Sequence, residues 1–238
     1  MSELKPRTLI SVHKHLRDQV ANALRAALIA GDLKPGIIYS APTLAAEYGV
    51  SATPVREAML DLAREGLVEA VRNKGFRVTE LSERDLDEYT EIRSLIEIPT
   101  VGRVTRSASR EDLEALRPVA EEIVAAARAG DLIGYLESDR RFHLGLLGLA
   151  GNSRLVETVA DLRKRSRLYG LTELAEAGAL VASAQEHTAL LDLMLAGDSA
   201  AAEEHMRHHL AHVRTLWAAR NQEKAGERTS SVRKLGTR

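Results

Sequence analysis

Over the first thirty positions, Val12, Leu16, Val20, Leu24, Ala27 and Leu28 recur at helical spacing. They predict a helix stopped by Gly31 and the Lys34-Pro35-Gly36 turn. A shorter helix is expected from Ser40-Ala41-Pro42, where serine can cap and proline in the first turn forfeits no hydrogen bond, to Gly49. A third runs from Thr53-Pro54 to Gly66, and Leu44, Val50, Val55, Met59 and Leu62 are the expected small core. Two β-prone runs, residues 67–71 and 76–78, then flank Arg72-Asn73-Lys74-Gly75, a hairpin in which Gly75 supplies a positive φ. Helix, turn, helix and basic hairpin, in that order, make a winged helix-turn-helix.

Beyond Ser82 the pattern is helical almost throughout, over residues 83–107, 110–129, 131–150, 153–169, 178–196 and 199–220. Gly130-Asp131 and Gly197-Asp198 each read as a helix stop followed by a cap, and Pro99 and Pro118 predict a kink or break. The fold class is therefore mainly α. A winged helix-turn-helix over residues 1–80 precedes an all-helical region over residues 81–220, and a basic tail over residues 221–238 has no apolar period and is expected to be disordered.

Composition removes several classes. No cysteine means no disulfide, thiolate nucleophile or cysteine-held metal. No apolar run reaches the roughly 18–20 residues that span a bilayer, and no signal-peptide pattern opens the chain, so no membrane partner and a cytoplasmic location are expected. The formal charge of −1 hides a slightly basic head on an acidic body, which suits a head that meets a polyanion.

On helical wheels, Asp139 and His143 fall inside the apolar arc of their segment, one turn apart. His187 sits at the centre of its buried face. Of the four histidines in the last helix only His209 points inward; His205, His208 and His212 lie at or beyond the edge. A buried carboxylate and three imidazoles are costly unless paired with each other or with a metal. Each histidine alone reads rather as a hydrogen-bonded core residue, whereas convergence of all four groups would make a site for Zn, Mn, Ni or Fe.

The stretches IAGDLKPG, LAAEYGVSATPVREAMLDLAREGLV and RNKGFRV resemble the DNA-binding domain of GntR-family bacterial transcription regulators over residues 20–80. The resemblance implies that Ser51, Thr53 and Arg56 contact phosphates and bases, and that Arg72, Asn73, Lys74 and Gly75 form a wing tip entering the minor groove. Ala52 stands where the family usually has arginine, and Ala41-Pro42 where it often has Glu-Arg. Arg56 is therefore expected to carry more of the direct readout. Asp139-Arg140-Arg141-Phe142-His143, Glu186-His187 with Leu190-Leu191, and Ala196-Gly197-Asp198 followed by His209 resemble the FCD ligand-sensing domain of the FadR/VanR branch over residues 85–215. That resemblance implies an antiparallel all-helical bundle and a divalent transition metal, zinc first and Mn, Ni or Fe otherwise, on Asp139, His143, His187 and His209. It also implies a small organic acid effector beside the metal. Arg93 matches an arginine that faces this pocket, though an i,i+4 pair with Glu97 fits it equally.

The expectation is a homodimeric, metabolite-responsive repressor on double-stranded operator DNA, and not an enzyme. Its rivals are a metal-dependent enzyme joined to a DNA-binding head and an effector-free DNA-binding dimer. Against the enzyme, the chain has no HExxH, HD dipeptide, GxSxG or P-loop.

Overall fold

The structure is a computed structural model that describes residues 10–166, 171–212 and 214. The chain divides into two compact units, Met1–Glu80 and Leu81–Arg238. The expected tail and the end of the last helix, with Leu216 and Trp217, lie outside the described residues.

In the first unit α1 (Ile10–Ala30), α2 (Ala41–Tyr48) and α3 (Ala52–Arg64) surround a core of Leu24, Leu44, Val55, Met59 and Leu62, all fully buried. Val50, expected in that core, is only half-buried, because it follows the left-handed Gly49 that ends α2. Ser40 caps α2 as its sequence requires, its hydroxyl accepting from the Thr43 amide at 3.2 Å.

The hairpin is β2 (Val68–Val71) and β3 (Gly75–Val78), but the sheet has a third strand that periodicity did not reveal. Residues Ile38–Tyr39, here β1, pair antiparallel with β3, with Ile38 opposite Arg77 and Tyr39 opposite Phe76. Two residues are too few to show alternation. This strand also gives Gly75 a second reason to be glycine. Besides its φ of 130°, a Cβ there would stand 2.3 Å from the Tyr39 carbonyl oxygen. The tip of the turn carries Asn73 at φ 60°, a conformation that asparagine tolerates better than most side chains.

The second unit is helical throughout its described residues: α4 (Glu83–Ser107), α5 (Arg110–Glu114), α6 (Arg117–Ala129), α7 (Leu132–Gly148), α8 (Ser153–Ser166), α9 (Leu171–Glu176), α10 (Leu180–Leu195) and α11, which spans residues 199–212. A reciprocal capping box between Ser82 and Asp85 opens α4. Asp131 caps α7 just after left-handed Gly130, and Asp198 caps α11 through the Ala201 amide. Helix α9 was not expected. Its six residues are too short for periodicity to register.

The two prolines differ. Pro118 stands in the first turn of α6, and the chain breaks before it, at Ala115-Leu116. Pro99 does not break α4, which runs on to Ser107. It removes only the bond to the Leu95 carbonyl, and Leu95 and Pro99 are both exposed, so that acceptor lies on the outer face of the helix and not in the bundle core. Packing of α6 on α7 and α10, and of α4 on α7 and α8, closes a core around Ile123, Phe142, Leu146, Val159 and Leu191.

Candidate metal centre and nucleic-acid interface

The candidate contact residues of the head lie on α3 and at the hairpin tip. Ser51 takes the N-cap position of α3, yet its hydroxyl makes no capping bond and is left for another acceptor or donor. Thr53 and Arg56 follow on the exposed side of α3, and Arg72, Asn73 and Lys74 are exposed at the hairpin tip. Among the described residues, no ion pair engages Arg56, Arg72 or Lys74, whereas Arg64 is tied to Asp61 and Arg77 to Glu69. Unpaired cations and a helix N-terminus on one small unit are what phosphate binding requires.

In the bundle, α7 supplies Asp139 and His143, α10 supplies His187 and α11 supplies His209. All four side chains are buried, and one ligand atom from each lies within 4.8 Å of the others. Nε2 of His187 is 3.0 Å from Asp139 Oδ1 and 3.1 Å from Nε2 of His143, and the His143–Asp139 separation is 3.7 Å. Ligands about 2.0–2.1 Å from a shared ion stand about 2.9 Å apart at right angles and about 3.3 Å apart at tetrahedral angles. The observed separations are close to those of a shared ion and do not require a closed four-ligand shell.

The outer partners decide which ring nitrogens are free. His187 Nδ1 donates to the Ala184 carbonyl at 3.0 Å, and His209 Nδ1 donates to Glu186 Oε2 at 2.6 Å. An imidazole that spends its proton on Nδ1 offers a lone pair at Nε2. On these tautomers Nε2 of His187 and of His209 carries the lone pair, the form in which an imidazole can bind a cation. The donor set, one oxygen and three imidazoles, suits a transition ion rather than Ca or Mg.

Burial, with the nearby Arg163 and histidine rings, holds His143 well below its usual pKa. Burial also pushes His209 down to about 3 against the opposing pull of Glu186. Both rings are neutral at pH 7, the form that binds metal. The outward assignments agree with exposure for His208, which faces solvent beside Glu204. His212 lies at the edge, donating from Nδ1 to the other oxygen of Glu186 at 2.9 Å.

Arg93 forms the pair with Glu97. Its Nε donates to Glu97 Oε1 at 2.7 Å, and both side chains are buried. Sequence reasoning missed Arg163 of α8, among the most deeply buried side chains in the molecule. Its two terminal nitrogens reach Glu97 Oε2 at 2.7 Å and Asp139 Oδ2 at 3.2 Å. Burial opposes the Glu97 charge, but Arg163 and Arg93 outweigh it and hold the carboxyl down at about 2. A signal was present: Val156, Val159 and Arg163 follow one another at helical spacing, putting the arginine on the apolar stripe of α8.

Residues 16–78 match the family described as bacterial regulatory proteins, gntR family, and residues 88–212 match the FCD domain. The chain is 33% identical to the HTH-type transcriptional regulator McbR of Escherichia coli, over 84% of this chain and 90% of that protein. The solved structure of E. coli McbR/YncC superposes with a TM-score of 0.61 at 30% identity, covering 88% of this chain and 98% of that one. A probable D-xylose utilization operon transcriptional repressor of Paenarthrobacter nicotinovorans is 32% identical over 81% of this chain and 84% of its own length. With a winged helix-turn-helix, a helical FCD domain and regulators rather than enzymes as relatives, the chain belongs to the GntR family of DNA-binding transcriptional regulators.

Proposed function

We propose that this regulator is a metabolite-responsive repressor whose bundle holds one divalent transition ion, zinc first, on Asp139, His143, His187 and His209. A small organic acid binds beside that ion, and the protein works as a homodimer on two-fold operator DNA. The observation that carries the metal reading is the convergence of four buried ligand atoms within 4.8 Å. Elemental analysis of purified protein tests it: His187→Ala and His209→Ala lose most of the metal, whereas His208→Ala keeps it. Equal loss on His208→Ala would place the ligands on the wrong helix face.

The acid reading rests on charge balance. Arg93 and Arg163 are offset by Glu97 and Asp139, so a divalent ion leaves the centre positive. An organic carboxylate at an open position of the metal shell reduces that imbalance. Arg93, held by Glu97, adds to the positive potential that draws the anion. Repression is supported by the relative named as a repressor.

The homodimer is supported by α4. Ile92 and Leu95, 42% and 71% exposed, form an apolar strip with exposed Pro99, with Glu88 toward one end and Arg103 toward the other. Two such helices paired antiparallel about Leu95 set Glu88 of one copy against Arg103 of the other, the self-complementarity a two-fold contact needs. A single head also buries too little surface for operator-level affinity.

A further inference from the structure

The exposed stripe of α3 carries more than its arginine. Thr53, Arg56, Glu57 and Leu60 are all exposed and follow the i, i+3, i+4, i+7 spacing with which a recognition helix lines the floor of one groove. The opposite face, Val55, Ala58, Met59 and Leu62, is buried in the head. Leu60 is 40% exposed, and among the described residues of the head only Ile37 is also a large apolar side chain left in solvent. It stands one turn after Arg56 on the side where the helix meets nothing of its own unit.

We infer that Leu60 is a specificity-determining residue that packs on the 5-methyl group of a thymine in the major groove. The inference rests on α3 being the helix that enters that groove. The groove offers few apolar features, and the thymine methyl is the one that an aliphatic side chain can select. Four residues of helix advance about 6 Å, and base pairs repeat every 3.4 Å. With α3 lying along the groove, the thymine sits about two base pairs from the guanine read by Arg56. Ala52 adds to the consequence. With no long side chain there, the helix start contributes little base readout of its own, so a half-site should be defined chiefly by a guanine and a thymine at fixed spacing.

Selection of bound duplexes from a random pool, using the full chain, reads this directly. The wild-type protein is expected to enrich a half-site with both bases, and Arg56→Ala to lose the guanine while keeping the thymine. Replacing the selected thymine by uracil removes only the methyl group. It should weaken wild-type binding about four-fold, the factor corresponding to ~0.8 kcal/mol per buried methyl-sized group. Leu60→Ala should bind the thymine and uracil duplexes equally, while keeping the guanine preference that shows the head is folded. A selected guanine without a thymine at fixed spacing overturns the role of Leu60 alone, as does a uracil effect that persists in Leu60→Ala. No guanine preference for Arg56→Ala to lose overturns both Leu60 and the docking of α3.

Discussion

Burial keeps His143 and His209 neutral, and the same burial ties stability to pH. In the metal-free fold His143 and His209 are held far below the ordinary 6.5, His209 at about 3, while the unfolded chain titrates normally. Above pH 6.5 neither state carries these protons and the full stability is present. As pH falls below 6.5 the unfolded state takes them up first, so stability drops by up to ~1.4 kcal/mol per pH unit for each histidine. Glu97, down at about 2 from 4.5, extends the loss below pH 4.5. Urea unfolding of chelated protein should give a clearly lower midpoint at pH 5 than at pH 7, and an equal or higher one would contradict the neutral cluster. At this scale Asp139, His143, His187 and His209 were legible because polar residues on apolar arcs are few. Arg163 stands on the stripe of Val156 and Val159, so its burial was legible, but its two carboxylate partners lie on other helices and were not.

Among the elements, α4 joins two roles on opposite faces. Inward it buries Arg93 and Glu97; outward it exposes Ile92, Leu95 and Pro99. Sequence predicts a kink or break at Pro99 because it cannot say on which face of the helix the freed carbonyl lies. It lies on the exposed face, outside the bundle core, and the helix continues to Ser107. Leu95→Lys should put like charges on the two-fold axis of the proposed dimer and shift the protein toward monomer by light scattering. The bundle itself should be unperturbed, since Leu95 contributes no buried surface to it. A fully dimeric Leu95→Lys protein with unchanged dissociation would remove α4 from the interface.

For the whole molecule, regulation requires that a ligand in the bundle bind one state of the regulator better than another. A small carboxylic acid that fits should therefore raise the unfolding temperature of the metal-replete chain and change its operator affinity. Both effects should vanish on chelation and in Asp139→Ala. An acid that acts equally well on metal-free protein would refute the metal-centred mechanism while leaving DNA binding by the head intact.

Local chemistry was enough to place most helices, the wing and the inward histidines, because caps, glycine stops and 3.6-residue periodicity act over a few residues. Ser82 with Asp85, Gly130 with Asp131, and the Asn73–Gly75 turn behave as their types dictate. Strand β1, the uninterrupted course of α4 through Pro99, and the network of Arg163 with Glu97 and Asp139 depend instead on partners distant in the chain. Residues 97, 139 and 163 share charge only after α4, α7 and α8 have packed. No pattern within one helix records which carboxylates its neighbours will bring to a buried guanidinium.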